Sequence, residues 1–295
     1  MKSLHLVFLL ALSTTAENWN RFRGPNGTGI AASGAYPVHF GPSQNLLWST
    51  ALPPGKSSPI LTKRFVFLTA SRNGEPLVVC LDRKTGAIRW ERKVGPARSQ
   101  TLHENNEPAS PTAASVGENL FAFFGGVGLV SFDSAGKLRW RTSLGPFDAP
   151  YGMATSPVVA NGLVLLHAEH FGDSFVAAFR TSDGTLVWKQ KRPGLALNHT
   201  TPILDGSSIV ATGSGRASAY DIATGEHRWT VETPNGSSTP SALLHNGTLF
   251  VSQFALELPP AFEDRLRLLD TDRNGLLAVV TQFCGGSATR EKVTI

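Results

Sequence analysis

Asp221–Trp229 reads DIATGEHRW, and this stretch is one of four related copies in the 295-residue chain. Each copy places a Gly four residues before a Trp and sets a short polar turn before that Gly. Asp and Thr side chains bond the local backbone in such turns, Gly supplies the positive φ, and an alternating strand follows. The stretch therefore predicts two strands joined by a tight turn. The copies end at Trp90, Trp140, Trp188 and Trp229.

The spacing of these copies indicates a repeat architecture. Their tryptophans are 50, 48 and 41 residues apart, a period typical of propeller blades. Each unit opens with Ser-Pro or Thr-Pro, and Pro is tolerated at the first position of a strand. Three apolar runs precede the Gly–Trp strand, so we predict an all-β propeller of four-stranded antiparallel blades. Four blades are complete and a fifth is partial. The openings are Ser58-Pro59, Ser110-Pro111, Ser156-Pro157, Thr201-Pro202 and Thr239-Pro240.

Two segments before the first unit also carry aromatic residues. NLLWST (Asn45–Thr50) is predicted to be a lone strand with the Trp of a repeat but no Gly turn. Because a ring pairs its first and last strands to leave no open edge, we expect Trp48 in the outer strand of the closing blade. The earlier glycine-rich segment is interpreted as irregular and held to the domain by Trp19 and Phe22.

Composition argues against several classes of protein. The net charge is +5, but no run of Lys or Arg is present, so nucleic-acid binding is not expected. Cys80 lies in the apolar run LVVCL and is predicted to be a buried free thiol. The only other cysteine is Cys284, and no Cys/His spacing indicates zinc.

The first 16 residues have the pattern of a secretory signal peptide. One Lys precedes an apolar run that is too short to span a bilayer, and small residues follow up to Ala16. No Cys lies near that position, so a lipid anchor is not expected. We predict a signal peptide at 1–16, a propeller at 17–256, and export to the periplasm or the cell exterior without a transmembrane anchor.

Residues 257–295 differ in character from the repeats. Apolar residues at helical spacing lead into Asp270, Asp272 and Asn274, which match the first half of an EF-hand loop. Thr281 stands where a bidentate Glu is needed, so the segment is predicted to be a degenerate EF-hand with those three residues as its metal ligands. The rest of the tail has neither blade nor helix pattern, and we expect a truncated propeller.

Polar loops leading into the Ser/Thr-Pro strands form the candidate site, because equivalent loops of a propeller surround one funnel. Their His and Glu side chains suit acid–base chemistry or cation binding. The alternative is that they satisfy turns and contact water. The candidate ligand-binding residues are His103, Asn106, Glu107, Tyr151, His199 and Asn235.

The Asp-x-x-Thr-Gly-x-x-x-Trp turn, the Ser/Thr-Pro openings and the early WNRFRGPNGTG resemble secreted bacterial PQQ-like (quinoprotein-type) β-propeller repeat proteins. The resemblance covers about residues 19–256. It implies a ring of seven or eight blades in which each motif Trp packs between neighbouring blades, which makes Trp90, Trp140, Trp188 and Trp229 structural.

That family has two functional branches. One binds pyrroloquinoline quinone (PQQ) with Ca²⁺ and oxidises alcohols or sugars, and its alcohol-oxidising members place two adjacent cysteines against the quinone. This sequence has no adjacent cysteines. The other branch is non-catalytic and presents binding surfaces. We predict an exported, non-catalytic scaffold that binds a protein or small ligand and needs no cofactor. The alternative is a PQQ-dependent alcohol or sugar dehydrogenase, or a relic of one.

Overall fold

The described part of the protein consists of five β-sheets that pack against one another in chain order. The computed structural model describes residues 19–31, 36–98, 102–103, 106–192, 197–213, 215–233, 239–254 and 277–282. Within these ranges the one helical element is a 3₁₀ turn at Pro25–Gly27. The prediction of an all-β fold with four-stranded antiparallel blades is confirmed.

Four of the sheets are complete blades in which sequential strands pair antiparallel. The first blade consists of β1 (Ile60–Leu61), β2 (Phe65–Arg72), β3 (Glu75–Asp82) and β4 (Ile88–Lys93). The second consists of β5 (Ala114–Val116), β6 (Asn119–Phe124), β7 (Gly128–Phe132) and β8 (Leu138–Thr142). The third consists of β9 (Val158–Ala160), β10 (Leu163–Ala168), β11 (Phe175–Arg180) and β12 (Leu186–Lys191). The fourth consists of β13 (Ile203–Asp205), β14 (Ser208–Gly213), β15 (Arg216–Asp221) and β16 (His227–Glu232).

The turn between the third and fourth strands has the predicted chemistry. Asp82 Oδ1 accepts hydrogen bonds from the backbone N–H groups of Lys84 and Thr85 at 2.9 and 3.0 Å. Gly86 then adopts φ +72°, a conformation that side chains with a Cβ rarely adopt. A register shift precedes this turn in all four complete blades. A short, self-contained hydrogen-bond pattern therefore defines each blade.

Three of the four motif tryptophans pack on the Gly turn of the next blade. The Trp90 indole N–H donates to the Ser134 carbonyl at 3.0 Å, and its ring lies against Gly136. The ring also packs between Phe67 and Phe132, with centroid distances of 5.9 and 6.0 Å. Trp140 and Trp188 make the same contacts one and two blades further on. The hydrophobic core therefore lies between blades, and Trp90, Trp140 and Trp188 belong to it.

The first and last tryptophans differ from the others. Residues 45–50 form no strand, so the strand predicted there is wrong. Trp48 nevertheless lies against Gly86 and donates to the Arg83 carbonyl at 3.0 Å. It therefore takes the position that the Trp of a preceding blade would occupy. Trp229 packs on the fifth sheet and stays partly buried.

The fifth sheet departs from the blade pattern. It contains β17 (Leu243–His245), β18 (Thr248–Phe254) and β19 (Leu277–Gln282). The last of these strands pairs parallel to β18. No strand was expected in this part of the tail, and that interpretation was wrong for 277–282. The domain boundaries and the number of blades in a full ring stay predictions. Residues 1–16 and 270–274, with the predicted signal peptide and metal ligands, lie outside the described residues.

A ladder of hydroxyl groups joins the inner strands of the blades. The Ser58 backbone N–H donates to Thr112 Oγ1 at 2.9 Å, and the Thr112 N–H donates to Ser156 Oγ at 2.9 Å. The series continues from Ser156 to Thr201 Oγ1 at 3.1 Å and from Thr201 to Ser241 Oγ at 2.9 Å. The five residues hold equivalent positions before their inner strands. Three belong to the Ser/Thr-Pro dipeptides, so those openings also link the blades.

The segment 19–29 joins the inner strands of separate blades. The Leu61 N–H in blade one donates to the Trp19 carbonyl at 2.7 Å. The Arg21 guanidinium donates to the Pro202 carbonyl at 2.8 Å in blade four, and burial lowers its pKa to about 10. The Asn26 side chain both donates to and accepts from the Leu204 backbone, at 2.8 and 2.9 Å. Polar contacts therefore hold the segment to blades one and four.

Candidate functional site

The two ends of the blades carry different connections. We call the end with the Gly–Trp turns the turn end, and the end where the fourth strand leads into the next blade the loop end. The loop end also carries the connections between the second and third strands. All the predicted site residues that the structure describes lie at the loop end. Asn235 lies outside the described residues.

The structure brings three of the predicted residues together. The rings of His103 and Tyr151 have centroids 5.1 Å apart. The Asn106 side-chain amide donates to the Tyr151 carbonyl, and the His103 N–H donates to the Pro150 carbonyl at 3.1 Å. These residues come from the loops after blades one and two. These two loops therefore lie in contact with each other.

Glu107 is held by blade one. Its carboxylate accepts a hydrogen bond from Ser71 Oγ at 2.8 Å, and its N–H donates to Asn106 Oδ1 at 2.9 Å. These contacts fix the loop after blade one against β2.

A second polar group lies between blades three and four. Its charged residues, Glu169 and Arg192, were not among the site residues predicted from the sequence. Glu169 and Arg192 are buried, with the Arg192 Nε 3.5 Å from Glu169 Oε1. The Asn198 side-chain amide donates to Glu169 Oε2 at 2.7 Å, and His167 Nε2 lies 3.5 Å from that oxygen. Gly213 allows this approach, because a Cβ there would lie 1.6 Å from Asn198 Nδ2.

The ionisation of this group follows from its burial. Burial lowers the pKa of His167, so its imidazole is neutral near pH 7. Burial acts to raise the pKa of the Glu169 carboxyl, but contacts with His167, Arg192 and Asn198 outweigh it, and the net shift is downward. Glu169 is therefore an anion beside the Arg192 cation. Both side chains are closed to solvent, so the pair offers no substrate access. Hydrogen bonds from Arg192 to Tyr220 and Gly213 connect the pair to blade four.

The remaining histidines of this end do not form a metal site. His170 Nδ1 accepts hydrogen bonds from the backbone N–H groups of Asp148 and Gly172 at 3.2 and 3.0 Å. These bonds occupy that nitrogen, so it does not join His167 in binding a metal. His199 is half-buried, and burial lowers its pKa. Within the described part of the chain, no three His, Cys, Asp or Glu side chains are grouped to hold a metal.

The quinone-binding branch needs side chains that the described residues do not supply. Cys80 is a free thiol, buried in β3 against Trp90, with valine and leucine on either side. It has no adjacent cysteine. The described residues therefore do not fit the disulfide and Ca²⁺ ligands of that branch. No described segment forms a helix of the length and hydrophobicity that crossing a bilayer requires.

Exposed aromatic side chains mark the loop end. Tyr151 is 51% exposed and Phe171 is 45% exposed. The Phe171 N–H donates to the Asp148 carbonyl at 3.0 Å, and Tyr151 stacks on His103. Both aromatic residues are thus attached to ordered backbone. Aromatic groups with a polar surround are typical of protein-binding surfaces.

Comparisons with known proteins identify relatives of the same architecture. BamB of Bordetella pertussis, an outer membrane protein assembly factor, is 34% identical over 116 residues, which are 37% of this chain and 28% of that protein. The crystal structure of BamB from Moraxella catarrhalis is 21% identical, with a TM-score of 0.48 over 68% of this chain and 55% of that one. Quinohemoprotein alcohol dehydrogenase from Comamonas testosteroni is 14% identical, with a TM-score of 0.60 over 80% of this chain and 44% of that one.

These matches bear differently on fold and family. The likeness to the dehydrogenase shows the fold alone, and this chain spans less than two thirds of the length of each relative. The family model of outer membrane protein assembly factor BamB matches residues 98–257, more than half of the chain. The expected PQQ-like repeat is confirmed, and the chain belongs to the family of outer membrane protein assembly factor BamB.

Proposed function

We propose that this protein is an exported, non-catalytic propeller that binds a protein partner during the assembly of outer membrane proteins. Its family and its relative from Bordetella pertussis are named for that process. Export to the periplasm follows from the predicted signal peptide at residues 1–16. The dehydrogenase alternative is not favoured, because the described residues lack its cysteine pair and its ligand set.

The exposed aromatic pair at the loop end carries this proposal. Tyr151 and Phe171 expose about half of their surface, yet their backbones are fixed by hydrogen bonds to neighbouring loops. An aromatic anchor on a rigid support loses little conformational entropy when a partner covers it. Truncating such an anchor typically costs about 2 kcal/mol or more of binding energy.

The partner contact is tested by site-specific photo-crosslinking in the bacterium of origin. A photoreactive amino acid replaces Tyr151 in one strain and Val116 in another. Val116 is also 51% exposed but lies at the turn end, so it controls for exposure. We expect an adduct with an outer-membrane assembly protein, identified by mass spectrometry, from position 151 and not from position 116.

Two results contradict the proposal. Equal crosslinking from both positions means that the loop end has no special role. Dye-linked alcohol or sugar oxidation after addition of PQQ and Ca²⁺ supports the dehydrogenase instead.

Calorimetry at millimolar Ca²⁺ tests the metal site proposed at Asp270, Asp272 and Asn274, which is independent of the partner.

A further inference from the structure

A cleft of about 620 Å³ lies between blades one and two at the turn end, opposite the exposed aromatic residues. Its volume falls within the range of ligand-binding clefts. Phe65 and Trp90 contribute aromatic walls. The Arg64 guanidinium lies 5.0 Å from the centroid of the Phe65 ring. The cleft therefore combines an apolar wall with charged groups.

Positive charge dominates the lining. Four cationic residues and the single carboxylate of Asp82 give a net charge of +3; the cations are Lys63, Arg64, Lys84 and Arg89. Arg89 pairs with Asp82 at 2.6 Å, and Arg64 pairs with Glu118 of blade two. Neither lysine forms a salt bridge with a described residue, and both are exposed. Two cations are therefore left to meet an anionic ligand.

The repeat provides an internal comparison. The register of the strands places Gly117 and Glu118 of blade two where blade one has Lys63 and Arg64. In the same way Asp133 corresponds to Asp82. Ala135 and Arg139 occupy the positions that match Lys84 and Arg89. At these matched positions blade two therefore has the carboxylates of Glu118 and Asp133 and the cation of Arg139, a net charge of −1. The shared backbone therefore does not require positive charge, and the charge is a property of the first cleft.

We propose that this cleft binds an acidic segment of a partner protein. Carboxylates of the segment would pair with Lys63 and Lys84, and an apolar side chain would pack against Phe65. A membrane or a nucleic acid is a broad polyanion, and Glu118 and Asp133 on the adjoining surface would repel it. A narrow acidic segment avoids those carboxylates. The site lies opposite the loop-end surface, so the two proposals stand or fall separately.

The test uses the full chain and a fluorescein-labelled peptide that has six Glu residues around one Phe. Fluorescence anisotropy measures binding to the wild type, to Lys63→Glu/Lys84→Glu and to Lys189→Glu/Lys191→Glu. The last variant makes the same change in net charge on exposed residues of β12, outside the cleft. We expect the cleft variant to weaken binding at least tenfold and the control to change it less than twofold. Binding should also weaken as ionic strength rises.

Three outcomes overturn the proposal. Equal weakening by both variants shows unspecific attraction by net charge. Equal affinity for a peptide with Gln in place of Glu shows that carboxylates are not recognised. Binding to vesicles of phosphatidylglycerol and phosphatidylcholine in preference to the peptide, with loss in the cleft variant, assigns the cleft to a membrane surface.

Discussion

Gly184 and Gly162 allow the inter-blade role of tryptophan to be measured within one blade. Both glycines lie in turns of blade three, with φ values of +74° and +75°. A Cβ on Gly184 would lie 2.5 Å from the Trp140 ring, whereas a Cβ on Gly162 would meet no atom within 4 Å. Ala at the two positions therefore imposes the same backbone strain but a different packing cost.

The expected costs follow from these contacts. For an L-residue, the left-handed conformation costs about 1–2 kcal/mol, and the smaller entropy of the unfolded chain offsets about 0.4–1 kcal/mol of this. Gly162→Ala should therefore cost about 1 kcal/mol. Gly184→Ala adds overpacking of about 1–3 kcal/mol. It also strains the hydrogen bond from the Trp140 indole to the Thr181 carbonyl at 3.0 Å, worth about 1 kcal/mol. The indole is 7% exposed and has little room to move.

Urea unfolding followed by circular dichroism provides the assay. The extra 2–4 kcal/mol expected for Gly184→Ala corresponds to a midpoint lower by about 1 M than that of Gly162→Ala, at a slope of about 3 kcal/mol per M. In a Trp140→Ala background the difference between the two substitutions should shrink to the contact with Thr142 Oγ1, which would lie 2.6 Å from the added Cβ. Equal midpoints in the wild-type background would refute the reasoning, because the ring would then place no demand on the turn.

Three further predictions concern single side chains. The folded-state pKa of Glu169 lies below its usual 4.5, so its contribution to stability is present above pH 4.5 and is lost as pH falls toward 2. Over that range the urea midpoint of Glu169→Gln should fall less than that of the wild type. An equal fall in both proteins refutes the assignment. Burial raises the pKa of Cys80 to about 12, so in a Cys284→Ser background iodoacetamide near pH 8 should label it only after unfolding; rapid labelling of the native protein contradicts this. Asn26→Gly removes two hydrogen bonds to blade four and should weaken the attachment of segment 19–29 by about 1–3 kcal/mol. We expect faster tryptic cleavage within residues 19–29. Asn246→Gly, at a residue with a similar φ, is the control and should leave the cleavage rate unchanged.

Local chemistry made the blades predictable from sequence. The residues that close each turn, such as Asp82, Thr85 and Gly86, lie within five positions of one another. Their hydrogen bonds form whatever the rest of the chain does, so the motif alone indicates a hairpin. Four copies at regular spacing then indicate an array, and the resemblance to PQQ-like propellers implied that the Trp of each copy packs between blades. The strand order and the positions of the tryptophans followed from this.

The strand predicted around Trp48 is an example of a feature that the local sequence pattern does not determine. Trp48 was expected in the outer strand of a closing blade; it packs on Gly86, but residues 45–50 form no strand with any described segment. The parallel strand β19 shows the converse, because its pairing with β18 depends on a neighbour rather than on a local pattern. Strand formation requires a partner, and the partner is not visible in the segment itself.

The sequence alone determined the repeat and the order of strands within each blade, while the role of the tryptophans was implied by the resemblance to PQQ-like propellers. Tertiary structure decided which polar residues meet. Glu169 and Arg192 are 23 positions apart and pair across their blade, and Lys63 and Lys84 are 21 positions apart on one cleft. Asn26 reaches Leu204 over a separation of 178 residues. Such contacts depend on how strands align within a blade and on where a distant segment packs, and a periodic sequence pattern gives the repeat length but does not say which side chains meet.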